Sequence, residues 1–466
     1  MKHIYQNPLV RQYALVIVVN LSVLATGLGL VWPSPVLVAL SNSTQTVLSK
    51  PITEEEGSWV VSIGFLTGVA ANFVVAYLVD VVGRKYGLIL SCLPKIVAGF
   101  VFIYASEVWM LLLGRALLGM ADAGIFTIVP MYASEIASKE IRGSLGTVLQ
   151  IMCSFGVVAM LSVGPFISYL TLNVTLTAVI ILTTLPLVLL PDSPYFLHAK
   201  GKREEALKVL TYYRGSEALA IEEIKEYELA KGNTEQITKK DIIRNKVFLK
   251  SLVLVIVLSL GSQFSGFNAI SFYLQTILES TQTSVRPEVA SVVIGMIQLA
   301  ASFVTTFMTD RFGRKPILTI TSVGMAFGML GLGIFFKVKE SGPVSGYMNF
   351  VPLTSLILVV YSYSAGFGSL NWVLSAELFD DKSRGLGMSI TSVTGLISIF
   401  ITTKYFALMT SAIGPAFTYW IFGVNCVLIC LFIMFCIPET KGRSFAEIQD
   451  MLKNNKTKHD VIMTKC

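Results

Sequence analysis

Long apolar runs alternate with short polar stretches along the whole chain. Twelve such runs fall at roughly 12–39, 57–79, 87–105, 109–133, 143–168, 170–190, 249–278, 288–309, 316–336, 350–376, 385–408 and 415–437. A helix rises ~1.5 Å per residue, so ~20 apolar residues cross the ~30 Å hydrocarbon layer of a bilayer. The pattern therefore predicts an all-α membrane protein with twelve transmembrane helices. The first run has no small-residue cleavage site before the next polar loop, so it reads as a span and not as a removable leader. One stretch breaks the pattern. Residues 196–247 include KREEALKVLTYY and EALAIEEIKEYELAK, highly charged with apolar positions at i, i+3 and i+4. That spacing predicts short amphipathic helices lying under the bundle.

The polar punctuation repeats. DVVGRK starts at Asp80 and DRFGRK at Asp310, each between apolar runs. Glu135 precedes Arg142-Gly143 after the fourth run, and Glu377 precedes Arg384-Gly385 after the tenth. Pro191-Asp192-Ser193-Pro194 closes the sixth run, and Pro438-Glu439-Thr440 the twelfth. Three devices in the same order at matching runs indicate a duplicated six-span unit. The domains expected are an N-terminal bundle over 1–195, a helical linker over 196–247, a C-terminal bundle over 248–438 and a tail over 439–466. Arg84, Lys85, Arg314 and Lys315 would pair with Glu135 and Glu377, beside Arg142 and Arg384, and fasten the ends of neighbouring helices. Exposed pairs contribute only ~0–1 kcal/mol, so such a latch could break and reform.

Composition agrees with the periodicity: 54% of residues are hydrophobic, 14% are charged and the mean hydropathy is +0.70. Of the 36 Lys and Arg, only Lys50, Arg286, Lys337 and Lys339 fall on one face of the predicted membrane topology, and Lys95, Arg115 and Lys404 lie within spans. The remainder gather on the other face, which the positive-inside rule makes cytoplasmic, with both termini. The basic charge thus reports topology and calls for no nucleic acid. The six cysteines lack metal or redox spacing, so no disulfide, metal or cofactor is expected. The three histidines lie outside the spans, and there is no phosphate loop or placed nucleophile–base pair, which argues against an enzyme. Charges inside a span are costly unless paired. Lys95 and Asp122, at similar depth on consecutive spans, are expected to form an ion pair, with a proton-binding Asp122 near Arg115 as the competing reading. Sequons at Asn42 and Asn173 fall on predicted outer loops and are candidate glycosylation sites.

GRK after spans 2 and 8, PMYASEIASKEIRG, PDSPYFL, QFSGFNAISFY, NWVLSAELF and PETKG together resemble the sugar porter family of the major facilitator superfamily. WPSP and ADAGIFTIVPMY are most similar to its insect trehalose and hexose transporters. The resemblance implies two six-helix bundles that rock around a central sugar site, with a plasma-membrane location. A neutral polyhydroxyl ring calls for amides, which donate and accept together, and for aromatic faces. By motif, Gln150, Gln263, Asn268, Gln298 and Trp372 fall on the family's sugar-contacting positions, Asn371 adds an amide, and Phe272 and Tyr273 resemble its outer aromatic gate. Two departures stand out. Ser262 replaces an amide, and span 10 reads GFGSLNW where the family commonly has prolines, so bending is left to glycine. Span 1 carries no carboxylate, which favours facilitated diffusion over proton-coupled symport. A non-transporting sugar receptor ranks lower, because the tail after Pro438 is short. The expected partners are a small-molecule sugar and the bilayer, with no obligate protein partner.

Overall fold

The computed structural model describes residues 7–138, 142–232, 239–283, 285–342, 344–380, 383–443 and 445–454. Every regular element among them is helical, and twelve helical stretches are long and apolar enough to cross a membrane. Helices dominate because a bilayer core offers backbone N–H and C=O groups no water, so each span must satisfy them internally. Contacts divide the chain into two compact units, Met1–Gln236 and Ile237–Cys466.

Unit 1 opens with α1 (Pro8–Val31) and α2 (Pro33–Ser41), two pieces of one bent span. The bend falls at Trp32-Pro33, where proline removes a helical donor. Trp32 is held there by Nε1 donating to Asn173 Oδ1 at 2.9 Å and by stacking on Phe102 at 4.3 Å. Next come α3 (Glu54–Val82), α4 (Arg84–Ile103), α5 (Val108–Ile136), α6 (Arg142–Val163) and α7 (Tyr169–Thr184). The α1 and α6 backbones touch: a methyl group on Gly27 would lie 2.1 Å from the Cys153 carbonyl oxygen. Small residues permit this approach, and close packing must do the work in lipid, where burial of apolar surface gains nothing.

The charged stretch after α7 folds as α8 (Pro194–Ala199), α9 (Arg203–Arg214) and α10 (Glu217–Gly232). These helices fall within unit 1. Leu210, Ala220 and Ile224 form their small core. Gln12 of α1 donates through Nε2 to the Tyr213 carbonyl and accepts from Ser138 N through Oε1, both at 2.8 Å. Arg214 donates to the Ile136 carbonyl at the end of α5 and pairs with Glu223 at 2.7 Å. Burial and the neighbouring Glu223 push the Tyr227 phenol well above its ordinary range, which keeps it a donor to that carboxylate.

Unit 2 begins with α11 (Lys239–Arg244) and repeats the plan with α12 (Lys246–Gln263), α13 (Phe267–Phe272), α14 (Leu274–Thr281), α15 (Pro287–Phe312) and α16 (Arg314–Glu340). It continues with α17 (Val351–Ala365), α18 (Phe367–Leu378), α19 (Arg384–Ile413), α20 (Pro415–Cys436) and α21 (Phe445–Asn454). Two runs that read as continuous in sequence are interrupted. Span 7 breaks between α12 and α13, where Gly266 takes φ +83°. Span 10 breaks between α17 and α18 at Gly366, so glycine alone does what proline commonly does. The two broken helices meet: the Phe267 ring stacks on Tyr363 with centroids 3.7 Å apart.

Candidate functional site

The three repeated devices converge at one end of each unit. Gly83 and Gly313 precede α4 and α16 with nearly identical backbones, φ +94° and +88° at ψ 175° and 170°. That region is essentially reserved for glycine. A methyl group on Gly83 would also strike Asp192 Oδ2, and one on Gly313 would lie 2.8 Å from Glu439 Oε2. The carboxylates occupy this space because they cap the helices. Asp192 Oδ1 accepts from Arg84 N at 3.0 Å and Lys85 N at 3.4 Å. Glu439 accepts from Arg314 N and Lys315 N, both at 3.1 Å. An anion at a helix start satisfies orphan N–H groups and complements the dipole.

The guanidinium of the same turn then reaches the next span. Arg84 forks onto Glu135 at 2.8 Å, and Arg314 meets Glu377 at 2.9 Å. The Ser193 hydroxyl donates to Glu135, and Thr440 Oγ1 donates to Glu377 at 2.6 Å. Tyr195 and Phe196 flank the Arg84 guanidinium. Sequence reading found the three devices without seeing that Asp192 and Glu439 unite them. An acidic residue directly after proline at the matching place in both repeats was the available signal. One expectation needs correction. The pairs are not exposed and weak, since side-chain exposure is 7% and 15% for Arg84–Glu135 and 16% and 21% for Arg314–Glu377. Flanking side chains exclude solvent from them, so losing one partner strands a charge at a cost of ~3–5 kcal/mol. Arg384 donates through Nε to the Ala376 carbonyl, and the Arg142 side chain lies outside the described residues.

Within the spans of unit 1, Lys95 Nζ lies 2.7 Å from Asp122 Oδ1 and 2.6 Å from Thr26 Oγ1. Thr26 Oγ1 is also 2.9 Å from Asp122 Oδ1, so α1, α4 and α5 meet at this cluster. Arg115 spends its guanidinium on backbone carbonyls of Val60, Gly29 and Val61 at 2.9, 2.8 and 3.2 Å. Thr26 had no place in the sequence reading, because nothing local distinguishes it from a threonine bonded to its own helix. Gln150 is half-buried on α6.

Unit 2 holds the other candidate sugar contacts. Gln263 ends α12, and its Oε1 accepts from Asn268 Nδ2 at 2.6 Å across the helix break. Gln298 is half-buried on α15. Asn371 of α18 is buried, and among the described residues its Oδ1 has no hydrogen-bond partner. Trp372 beside it is 49% exposed. Phe272 and Tyr273 are buried, with the Tyr273 hydroxyl donating to the Thr403 carbonyl at 3.3 Å and its ring 5.2 Å from Phe406.

The two sequons separate clearly. Asn42 is exposed after α2, with Oδ1 bonded to Thr44. Asn173 was expected in an outer loop, and the structure corrects this. It lies inside α7 with no exposed surface, donating through Nδ2 to Tyr169 O and accepting from Trp32, so no glycan fits there.

A family model described as sugar (and other) transporter matches residues 17–452, nearly the whole chain. The chain belongs to the sugar transporter family. It is 31% identical over 440 residues to a facilitated trehalose transporter, Tret1, of Polypedilum vanderplanki, covering 93% of this chain and 86% of that protein. The fold matches the inward-open xylose transporter XylE of E. coli with a TM-score of 0.80, at 22% identity over 94% of this chain and 99% of that one. The proton:xylose symporter XylE bound to 6-bromo-6-deoxy-D-glucose matches with a TM-score of 0.75, at 21% identity over 95% and 99%. This family member is a multi-pass membrane protein, not an enzyme.

Proposed function

We propose that this protein is a uniporter that carries a hexose or trehalose down its gradient by alternating access, in the plasma membrane with both termini cytoplasmic. The observation that carries this reading is the amide set of unit 2. With Asn268 donating to Gln263, the Gln263 amide hydrogens remain available to a ligand. Asn371 Oδ1 adds a buried acceptor with no partner among the described residues. An unmatched buried carbonyl costs ~1–3 kcal/mol, and a sugar hydroxyl would relieve that cost once movement at the Gly366 break uncovers this oxygen, which has almost no accessible surface here. Half-exposed Trp372 offers the adjoining aromatic face. Gln150 contributes from unit 1, Gln298 from α15, and Phe272 with Tyr273 forms the outer gate. The buried ion pairs keep each half rigid while the halves exchange access.

Proton-coupled symport is the second reading, favoured by a carboxylate inside span 4 and by the symport named for XylE. Two observations weigh against it. Asp122 is already bound by Lys95, and the Arg115 guanidinium is directed onto three carbonyl oxygens. Counterflow in proteoliposomes tests the proposal, with labelled glucose, fructose and trehalose compared. Transient accumulation of label against preloaded unlabelled sugar supports a carrier, and binding without exchange for every sugar overturns it.

A further inference from the structure

The Lys95–Asp122 cluster is lopsided. Lys95 is sealed, with 1% of its side chain exposed, whereas Asp122 keeps 14%. Every hydrogen bond that Asp122 makes with the described residues falls on Oδ1, from Thr26 and Lys95. Oδ2 receives none, yet it is not among the buried polar atoms that lack a partner, so this oxygen is reachable. Here the cation, the hydroxyl and the first oxygen form a fixed base beneath an open anionic acceptor.

Depth ties this oxygen to the candidate sugar contact in unit 1. Thr26 adjoins Gly27, whose backbone touches the Cys153 carbonyl of α6. Gln150 lies three residues from Cys153, about one helical turn along the same face. Asp122 and Gln150 therefore lie within about a turn of each other in depth, on helices that both pack on α1. A carboxylate oxygen takes hydrogen bonds only from donors, and a sugar hydroxyl is a neutral donor that leaves the cluster's charge unchanged.

We propose that Asp122 Oδ2 accepts a hydrogen bond from a hydroxyl of the transported carbohydrate, with Lys95 and Thr26 as positioning residues. This rests on the sugar-transport reading above and adds a charged contact to Gln150, the amide proposed in unit 1. It also predicts specificity: a sugar with no hydroxyl at the facing carbon loses one charge-assisted bond.

Equilibrium exchange in proteoliposomes provides the test, using the wild type and Asp122→Asn with the parent sugar and its single-deoxy analogues. In the wild type, one analogue should show a half-saturation concentration about tenfold to a hundredfold above the parent's. Asp122→Asn should raise the parent's value similarly and add nothing further for that one analogue. Equal added loss for every analogue, or unchanged affinity for the parent, overturns the proposal. If Asp122→Asn does not fold, the wild type still decides against it when no deoxy analogue loses more than about threefold. Uptake by the wild type driven by an imposed proton gradient and lost in Asp122→Asn would make the residue a proton carrier and overturn it too. Absence of wild-type exchange with any carbohydrate would instead overturn the transport reading itself.

Discussion

At the scale of single residues, polar side chains in spans divide by whether their hydrogen bonds are complete. Asn173 is complete: both ends of its amide are used inside unit 1. Its sequon was legible in sequence, whereas its burial follows from packing against Trp32, which sequence does not reveal. In a glycosylating host, Asn42→Gln should remove the N-linked glycan seen by electrophoretic mobility. Asn173→Gln should leave mobility unchanged and lower the melting temperature. Asn371 and Gln263 are incomplete, which is what a binding residue looks like before its ligand arrives. Gln263→Ala should raise the half-saturation concentration for the carried sugar about tenfold, since it removes a direct contact and frees Asn268 to turn away. Asn371→Leu should do the same while making the unliganded protein no less stable, because the unmatched carbonyl disappears. Ligand binding and thermal melts on the same samples separate these two effects.

At the scale of elements, most helices follow from apolar length, and their interruptions do not. Span 7 was expected as a single run over 249–278, but Gly266 adopts a left-handed conformation and divides it. A run's apolar character says that it spans, not that its hydrogen-bond ladder is continuous. The repeated turns were legible as repeats, while their geometry was not, since capping by Asp192 and Glu439 joins residues far apart in the chain. That geometry makes a paired prediction. Gly83→Ala and Gly313→Ala should each destabilise by at least ~1–3 kcal/mol, because the backbone there suits only glycine and the added methyl group meets a carboxylate. Asp192→Asn should cost less than Asp192→Ala, since the amide oxygen can still accept. Thermal unfolding in detergent reads all four.

At the scale of the whole molecule, duplication was plain from three devices in repeated order, and both units build the same cap and ion pair from them. Placement of the charged stretch was less legible: its helical periodicity was visible, but its attachment to unit 1 through Gln12, Arg214 and Tyr213 depends on backbone carbonyls that carry no sequence signal. Buried pairs costing ~3–5 kcal/mol to break favour rigid halves over flexible ones. Lys95 pairs with Asp122, the carboxylate midway along α5, so no proton need travel with the sugar. The most direct measurement is net uptake of labelled sugar into proteoliposomes, followed to its endpoint with and without an imposed proton gradient. Uniport predicts that internal and external concentrations become equal and that the gradient leaves the endpoint unchanged. Accumulation above the external concentration when protons flow inward would contradict it.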